Sequence, residues 1–546
     1  MTIAVTQCAQ IAAVDLLASA RRAASGADPV SLIDWYARRC RGRGSALEGI
    51  LQLRSDSGRR WQWTVADADE LPSLTSVWPA ASWPQREAVE RIGLRFAGQI
   101  PPTPLWTAAV RAAHDEEDGA DDGTEADGFV FLGDPATTTQ WRLDLRVQLR
   151  RRIVERVQAT PGKTFSGFED LATRHGYAQL PPLAEGLNDQ APFAVGLAAI
   201  LAVEAQLNIE PPSRCRRLRM LLAEISRIGA HCAWLATQAG LDQALWGEAL
   251  VARESVAHLL SDLTGRRWAT GVHRIGGVHA EVTAHTPQLL ADLAIAVDTV
   301  RAMAQRRLLD SRTWRRRFSG AAAVDAGTAR NWALTGPMLR ATGVACDVRK
   351  DTPYLDYDQV EFDVPIGTDG DVVDRVAVRL AEMQQSIGIC RQCLRDLPEG
   401  PTGLEPASSV SGVAERIGHF ELWMDGHGYR TIPGTTYLPT ESADGELAMW
   451  LAADGTGKPA GVHLRSPSLY NFQLLEHLLP GTRLEHAAGV VASLNIVAAE
   501  MDRWPLGAPN LQLVPWFPQN WPSGRTPLSL RIPQPKAPCI RCWILS

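Results

Sequence analysis

One stretch constrains this chain more than any other. From Asp115 to Asp127 it places eight acidic residues among thirteen, with no Lys or Arg and almost no apolar side chain. Such a segment repels itself and has nothing to bury, so it reads as a solvated linker that divides the chain in two. The 546 residues are in any case too many for one core at about 100–200 residues per domain. The tract also governs the charge balance. Over the whole chain 55 basic against 61 acidic residues give −6, and without these eight acids 55 against 53 give +2. The rest is near neutral and has no general excess of positive charge, so nucleic acid is not expected as a partner.

Nine cysteines, an odd number spread thinly, do not make a disulfide framework and suit a reducing compartment. Residues 1–20 lack an N-terminal basic region and are interrupted by Asp15, unlike a secretory signal. The longest apolar run, Pro192 to Val203, ends at Glu204, short of the roughly 20 residues that a membrane span needs. At a membrane, other chains would have to hold this one.

The pattern predicts an α+β protein. In the first piece, Glu48–Leu53 and Arg60–Val65 read as strands paired across the Ser55–Gly58 turn, and Gln85–Phe96 as a short helix, together a small α/β domain. Beyond the linker helical periodicity dominates. Leu218, Leu221, Leu222, Ile225, Ile228, Cys232 and Leu235 mark one helix face, and Glu224, Arg227 and His231 form a polar stripe beside it. Val376, Leu380, Met383, Ile387, Cys390, Leu394 and Leu397 follow bundle-seam spacing. From about His419, short runs broken by Gly and Asp predict a small antiparallel β region. After Arg503 the chain turns rich in Pro and Trp, as an extended tail would be. The expected division is 1–112, a linker 113–128, a main domain 129–503 and a tail 504–546.

Common motifs are absent or incomplete. Gly455-Thr456-Gly457-Lys458 lacks the leading Gly of a phosphate loop, Ala452 standing in its place, and has Pro459 where Ser or Thr is needed. No G-x-G-x-x-G follows a strand, so no dinucleotide is expected on this chain. Cys390 and Cys393 have ligand spacing but lie on an apolar helix seam without a second pair, which marks them as core residues. Cys539 and Cys542 are read either as an incidental tail pair or as half of a shared site. The Glu224, Arg227, His231 stripe has two readings: a face satisfied by ion pairing, or one turned toward a partner or an internal cavity.

Longer strings carry a resemblance. Thr335-Gly336-Pro337, Leu339-Arg340-Ala341, Asp347-Val348-Arg349-Lys350, Phe362-Asp363-Val364-Pro365, Gly367-Thr368-Asp369-Gly370-Asp371 and Glu382-Met383 come in one stretch. Tyr437-Leu438-Pro439-Thr440-Glu441-Ser442 follows later, and Ala202-Val203-Glu204 with the His231 helix comes before. From about Thr164 to Arg503 the chain resembles the D-type subunit of respiratory complex I, a relative of the [NiFe] hydrogenase large subunit. Pro72-Ser73-Leu74-Thr75, Arg86-Glu87 and Ile92-Gly93-Leu94-Arg95-Phe96 resemble the C-type subunit over a shorter stretch. A fused C/D-type chain is implied, with the acidic tract as the fusion joint.

The resemblance implies a peripheral-arm subunit of a complex-I-like or membrane-hydrogenase-like assembly, on the cytoplasmic side of the inner (plasma) membrane. Its partners would be an iron–sulfur small subunit and membrane subunits, and it would line the cavity beside the partner's terminal cluster, with electron transfer coupled to ion transport. The departures matter equally. Hydrogenases hold nickel and iron with two CxxC pairs, soft thiolates suited to those metals. Here the first pair falls on Asn188 and Ala191 and the second in Ser493–Arg503, where no Cys occurs, so no metal and no cofactor is expected on this chain. The family's quinone Tyr falls on Asp189, next to Asn188, and no His-containing hairpin is recognisable before Thr164. Asn188 and Asp189 are therefore the quinone-cavity candidates, with ordinary quinone reduction in doubt. Asp189 is read either as a cavity group or as a helix cap. The family's Arg and His beside the terminal cluster fall on Ser166 and Ala269. His231, Arg227 and Glu224 are the candidates that face a partner or cluster. A non-catalytic structural subunit is the alternative.

Overall fold

In the first piece, β-branched and aromatic residues alternate with polar ones on either side of a turn whose Gly58 takes the left-handed φ of 82°. The computed structural model describes residues 7–97 apart from 27, 40–46, 56 and 67–69; 105; 129–131; 143–404 apart from 163, 165, 240–241 and 269; 412, 413, 417 and 429; and 431–503. The acidic tract, the tail with Cys539 and Cys542, and Ala269 lie outside the described residues.

The N-terminal sheet has the order β1 (Gln7–Gln10), β4 (Arg60–Ala66), β3 (Leu47–Ser55), β2 (Val30–Arg39). β3 and β4 pair antiparallel with Glu48 opposite Ala66 and Leu53 opposite Trp61, as the alternation predicted, while β1 adds in parallel. Helices α1 (Leu16–Ala24) and α2 (Ser82–Ile92) cover Trp35, Leu51, Leu53 and Val65. Short strands β5 (Glu70–Pro72) and β6 (Arg95–Ala97) flank α2.

The sequence points to helix directly after the linker, and the structure corrects this. Strands β7 (Phe129–Phe131), β8 (Asp144–Arg150) and β9 (Ile153–Thr160) form an antiparallel sheet. Leu145 and Val147 alternate into the core, but the β8–β9 turn is made by Arg151 and Arg152 at φ 53° and 65°. A turn of that hand ordinarily announces itself with Asn or Gly, and two arginines gave no such signal. A hairpin thus precedes Thr164, and it contains no histidine.

The helical body is built from α3 (Phe168–Arg174), α4 (Leu180–Glu185), α5 (Pro192–Leu207), α6 (Ser213–Ala239), α7 (Gln243–Thr264), α8 (Thr286–Ala304), α9 (Arg312–Phe318) and α10 (Val372–Arg395). α5 is apolar nearly all round and is buried nearly all round, the pattern of a central helix. α6 packs against α5, α7 and α10, and both helices with bundle-like spacing bury the stripes their sequences mark. No described helix is long and apolar enough to cross a membrane. Two short strands, β10 (His273–Arg274) and β11 (Gly277–Val278), follow α7.

The predicted β region is a three-stranded antiparallel sheet of β12 (Gly434–Ser442), β13 (Gly445–Ala453) and β14 (Gly461–Arg465), closed off by α11 (Pro467–Leu478), α12 (Leu484–Leu494) and α13 (Ala498–Met501). The Gly455–Lys458 segment is the loop between β13 and β14. Gly336 approaches the tip of the β12–β13 hairpin so closely that a Cβ there would lie 2.3 Å from the Gly445 Cα. Cys390 and Cys393 are buried free thiols in the core.

Candidate functional site: a buried charge network and the cleft beside it

α6 is enclosed on all sides at the level of its polar stripe, so those side chains must find partners within the protein or incur a large desolvation cost. Glu224, Arg227 and His231 are 0%, 4% and 1% exposed. Glu224 accepts from Arg349 at 3.0 Å, from the Tyr357 hydroxyl at 2.6 Å and from Ser386 at 2.6 Å. Arg227 donates to the carbonyls of Ser442 at 2.7 Å and Glu441 at 2.5 Å, which ties α6 to the tip of the β12–β13 hairpin. His231 Nε2 lies 3.0 Å from Glu382 on α10.

These contacts belong to a larger set. Arg340 donates to Glu382 at 2.9 Å, to Glu441 at 2.8 Å and to the Cys346 carbonyl at 2.9 Å. Arg349 also meets Asp347 at 2.7 Å. Arg227, Arg340 and Arg349 therefore face Glu224, Asp347, Glu382 and Glu441, one positive charge short of balance. Burial opposes ionisation of all four acids. The guanidiniums overcome it for Glu224, Asp347 and Glu382, whose pKa values fall, whereas burial and the nearby Asp347 leave that of Glu441 raised. Burial also lowers the pKa of His231 against the pull of Glu382.

Beside this set lies a small cleft of about 10 Å³, room for roughly one water molecule. Ala191, Ala194, Ala223 and Ala443 give it a small-residue wall, and Arg227 and Glu441 contribute the charged groups. Of the candidates drawn from the sequence only Arg227 lines the cleft.

Asn188 organises the entry to α5. Its Oδ1 accepts from the backbone N–H of Gln190 and of Ala191, both at 2.9 Å, and its Nδ2 donates to Glu500 at 2.6 Å. Asn188 thus closes the turn before the helix, whose N-cap residue Ala191 offers no side-chain cap bond; Asp189 is exposed and caps nothing there, and its charge acts on Arg253. Glu500 also accepts from Ser466 at 2.8 Å and has no guanidinium partner among the described residues, so burial lifts its pKa to about 7. Asn495 reaches Gln190 at 3.4 Å and Asp444 at 2.9 Å. The two segments that the resemblance sets against the hydrogenase ligand pairs are thus adjacent, joined by amide and carboxyl groups. They offer no thiolate, and the donor set does not fit a nickel–iron centre. Ser166, which the resemblance sets against the family's cluster-side Arg, donates from its hydroxyl to the Asp502 carbonyl at 3.2 Å.

A second buried network joins the N-terminal sheet to the rest. Arg60 forks onto Glu446 with both contacts at 2.8 Å. Asp34 and Glu169 flank His463 at 2.9 and 3.0 Å, and Arg503 bonds Glu169 at 2.6 Å and Glu87 at 3.0 Å. Glu87, Glu169 and His463 have metal-ligand spacing, their ligand atoms lying within 4.8 Å of one another. Arg503 already supplies the cation there, and His463 is itself charged: burial works to discharge the ring, but Asp34 and Glu169 raise its pKa to about 9. The cluster is closed as an ion-pair set.

Sequence reasoning missed Arg340, Asp347, Arg349, Glu441 and Glu500 as site groups. One signal was available on α10, where Arg375, Arg379, Glu382 and Ser386, at i, i+4, i+7 and i+11, form a polar stripe that is entirely buried.

Residues 244–503 match the family model described as the respiratory-chain NADH dehydrogenase 49 Kd subunit, and residues 6–110 match that of the 30 Kd subunit. The first of the numbered D-type NADH-quinone oxidoreductase subunits of Roseiflexus castenholzii is 35% identical over 400 residues, which cover 70% of this chain and 94% of that protein. The D-type subunit of the same enzyme from Geotalea uraniireducens is 32% identical over 389 residues, or 68% of this chain and 98% of that protein. Its counterpart from Erythrobacter litoralis is 32% identical over 409 residues, covering 72% and 100%.

Proposed function

Because the chain belongs to the family of D-type NADH-quinone oxidoreductase subunits, with a 30 Kd-type segment fused ahead of it, we propose that it serves as the cluster-facing large subunit in the peripheral arm of a complex-I-like assembly. In this reading it lies on the cytoplasmic side of the membrane, against an iron–sulfur small subunit and membrane subunits. It holds no redox centre of its own. Electrons pass through the partner's cluster, and this chain shapes the space in which the acceptor is reduced. The observation that carries the reading is the coverage of nearly the full length of its D-type relatives, together with a fully buried charge network around α6.

The cleft beside Arg227 is the place proposed for coupling. Arg227 holds both the hairpin tip and Glu224, so a change of charge near the cleft would be transmitted to α6 and α10 through groups already in contact. Purification of the assembled complex tests the reading: an iron–sulfur partner should copurify and acceptor reduction should depend on this chain. A chain that purifies alone from its native host would refute it.

A specific observation keeps the structural-subunit alternative in play. The quinone Tyr position is an exposed Asp, and the neighbouring Asn188 is committed to Glu500. An ionised Asp only accepts hydrogen bonds, whereas a quinone carbonyl needs a donor. Asp189→Tyr is therefore expected to raise quinone reduction by the assembled complex if the cavity survives, and Asp189→Ala to leave it unchanged. If neither substitution alters electron transfer, the cavity role of Asp189 fails.

Metal content gives a further check. Protein produced with hydrogenase maturation factors should contain nickel well below one atom per chain, since Asn188, Ala191 and Ser493–Arg503 present no thiolate. Stoichiometric nickel by elemental analysis would overturn this assignment.

A further inference from the structure

The turn after α8 (Gln305–Leu309) and α9 carry Arg306, Arg307, Arg312, Arg315, Arg316 and Arg317, six arginines in twelve residues, all exposed. Arg307 reaches Asp242 at 3.7 Å, and Arg306 and Arg315 donate to the backbone carbonyls of Ala302 and Leu309. Among the described residues none of Arg306, Arg312, Arg316 and Arg317 has an ion-pair partner, and the nearby Asp310 is occupied by Gln305. On a chain with net charge −6 this is a concentrated positive patch, offset in part only by Asp310 within it and by Asp242 beside Arg307.

We propose that this patch docks on the anionic phosphate headgroups of a membrane surface. The proposal rests on the membrane-side placement given above. The chemistry of the patch favours headgroups over a protein partner. Leu308, Leu309 and Phe318 are buried, and Trp314 packs inward on Phe318 with ring centroids 4.9 Å apart. The surface therefore presents guanidinium groups with no apolar anchor among them. A protein interface draws its affinity from desolvated apolar and aromatic centres, and this patch has none to offer. A headgroup layer requires only charge, and clustered arginines fork onto phosphate oxygens. Arg312, Arg315 and Arg316, at i, i+3 and i+4, point from one side of α9, which suits contact with a plane.

The test uses the full chain and co-sedimentation with phosphatidylglycerol–phosphatidylcholine vesicles. Binding should be strong at low salt, weaken as salt rises, and be absent on pure phosphatidylcholine. The triple variant Arg312→Gln, Arg316→Gln, Arg317→Gln should bind on the order of a hundredfold more weakly. A charge-matched control, Arg174→Gln, Arg267→Gln, Arg395→Gln, removes exposed arginines already paired with Asp170, Glu254 and Asp396, and should bind as the unmodified chain does. Equal loss in the control would show a general charge effect and overturn the proposal. So would displacement by inorganic phosphate beyond the effect of chloride at equal ionic strength, which would mark a free-anion site. Tighter binding of polyglutamate or duplex DNA through the same arginines would likewise overturn it, in favour of another polyanion. Failure here would leave the proposed place in the assembly standing, because copurification tests that separately.

Discussion

Arg340→Met should destabilise the protein by about 3–5 kcal/mol, the range for removing one partner of a buried ion pair, and by more than most single substitutions do. Arg340 is completely buried and is bonded to Glu382 and Glu441 and lies 3.6 Å from Asp347. The thioether fills similar space but leaves three carboxyl groups without their shared cation. They would have to take up protons or admit water, and the hairpin tip held by Glu441 would loosen with them. Thermal denaturation should show the loss, and Arg340→Met combined with Glu382→Gln should recover part of it, because one stranded charge is then removed. A fall in stability below about 1 kcal/mol would mean that water already solvates this set.

The second large effect is a pH dependence centred on His463. Its folded pKa of about 9 lies above its ordinary 6.5, so the protonated ring is bound more tightly in the folded state. A raised cationic pKa contributes stability that is fully present below 6.5 and disappears as pH rises through about 9. That gap corresponds to roughly 3 kcal/mol. Glu500 also titrates inside this chain, with a folded value of about 7 and the opposite chemistry. Its raised carboxyl pKa makes stability fall between the ordinary carboxylate range and neutrality, then level off. The windows overlap only up to about pH 7, where Glu185 also finishes titrating, so loss between pH 7 and 9 belongs to His463. His463→Gln should be less stable than the unmodified protein at pH 6 and should approach it at pH 9.5. Parallel stability curves for the two proteins across that interval would disprove the charged ring. Because Asp34 comes from β2 and Glu169 from α3, the loss should appear first as release of the N-terminal sheet, visible in the fluorescence of Trp35 and Trp450.

The helices and the strand pair around Gly58 were legible because they repeat. Leu218 to Leu235 and Val376 to Leu397 state their own period, and an apolar stripe of that length can only be buried against another. The β7–β9 sheet was not legible, since its two long strands meet at Arg151-Arg152, a turn that its residues do not advertise. That no cysteine stands in Asn188–Ala191 or Ser493–Arg503 was equally plain in the sequence, so those segments offer no thiolate.

What the sequence could not decide is where a charge finds its partner. Glu224, Arg227 and His231 form the same stripe whether they face solvent, a neighbouring subunit or the interior. Only the tertiary structure places Arg349, Glu382 and the Glu441 carbonyl against them, from positions 125, 151 and 214 residues away. Periodicity is local, a property of neighbours within one element, and the sequence carries it whole. Charge pairing in a low-dielectric interior depends on distances of a few ångströms between segments that packing alone brings together, so it appears only once the chain has folded.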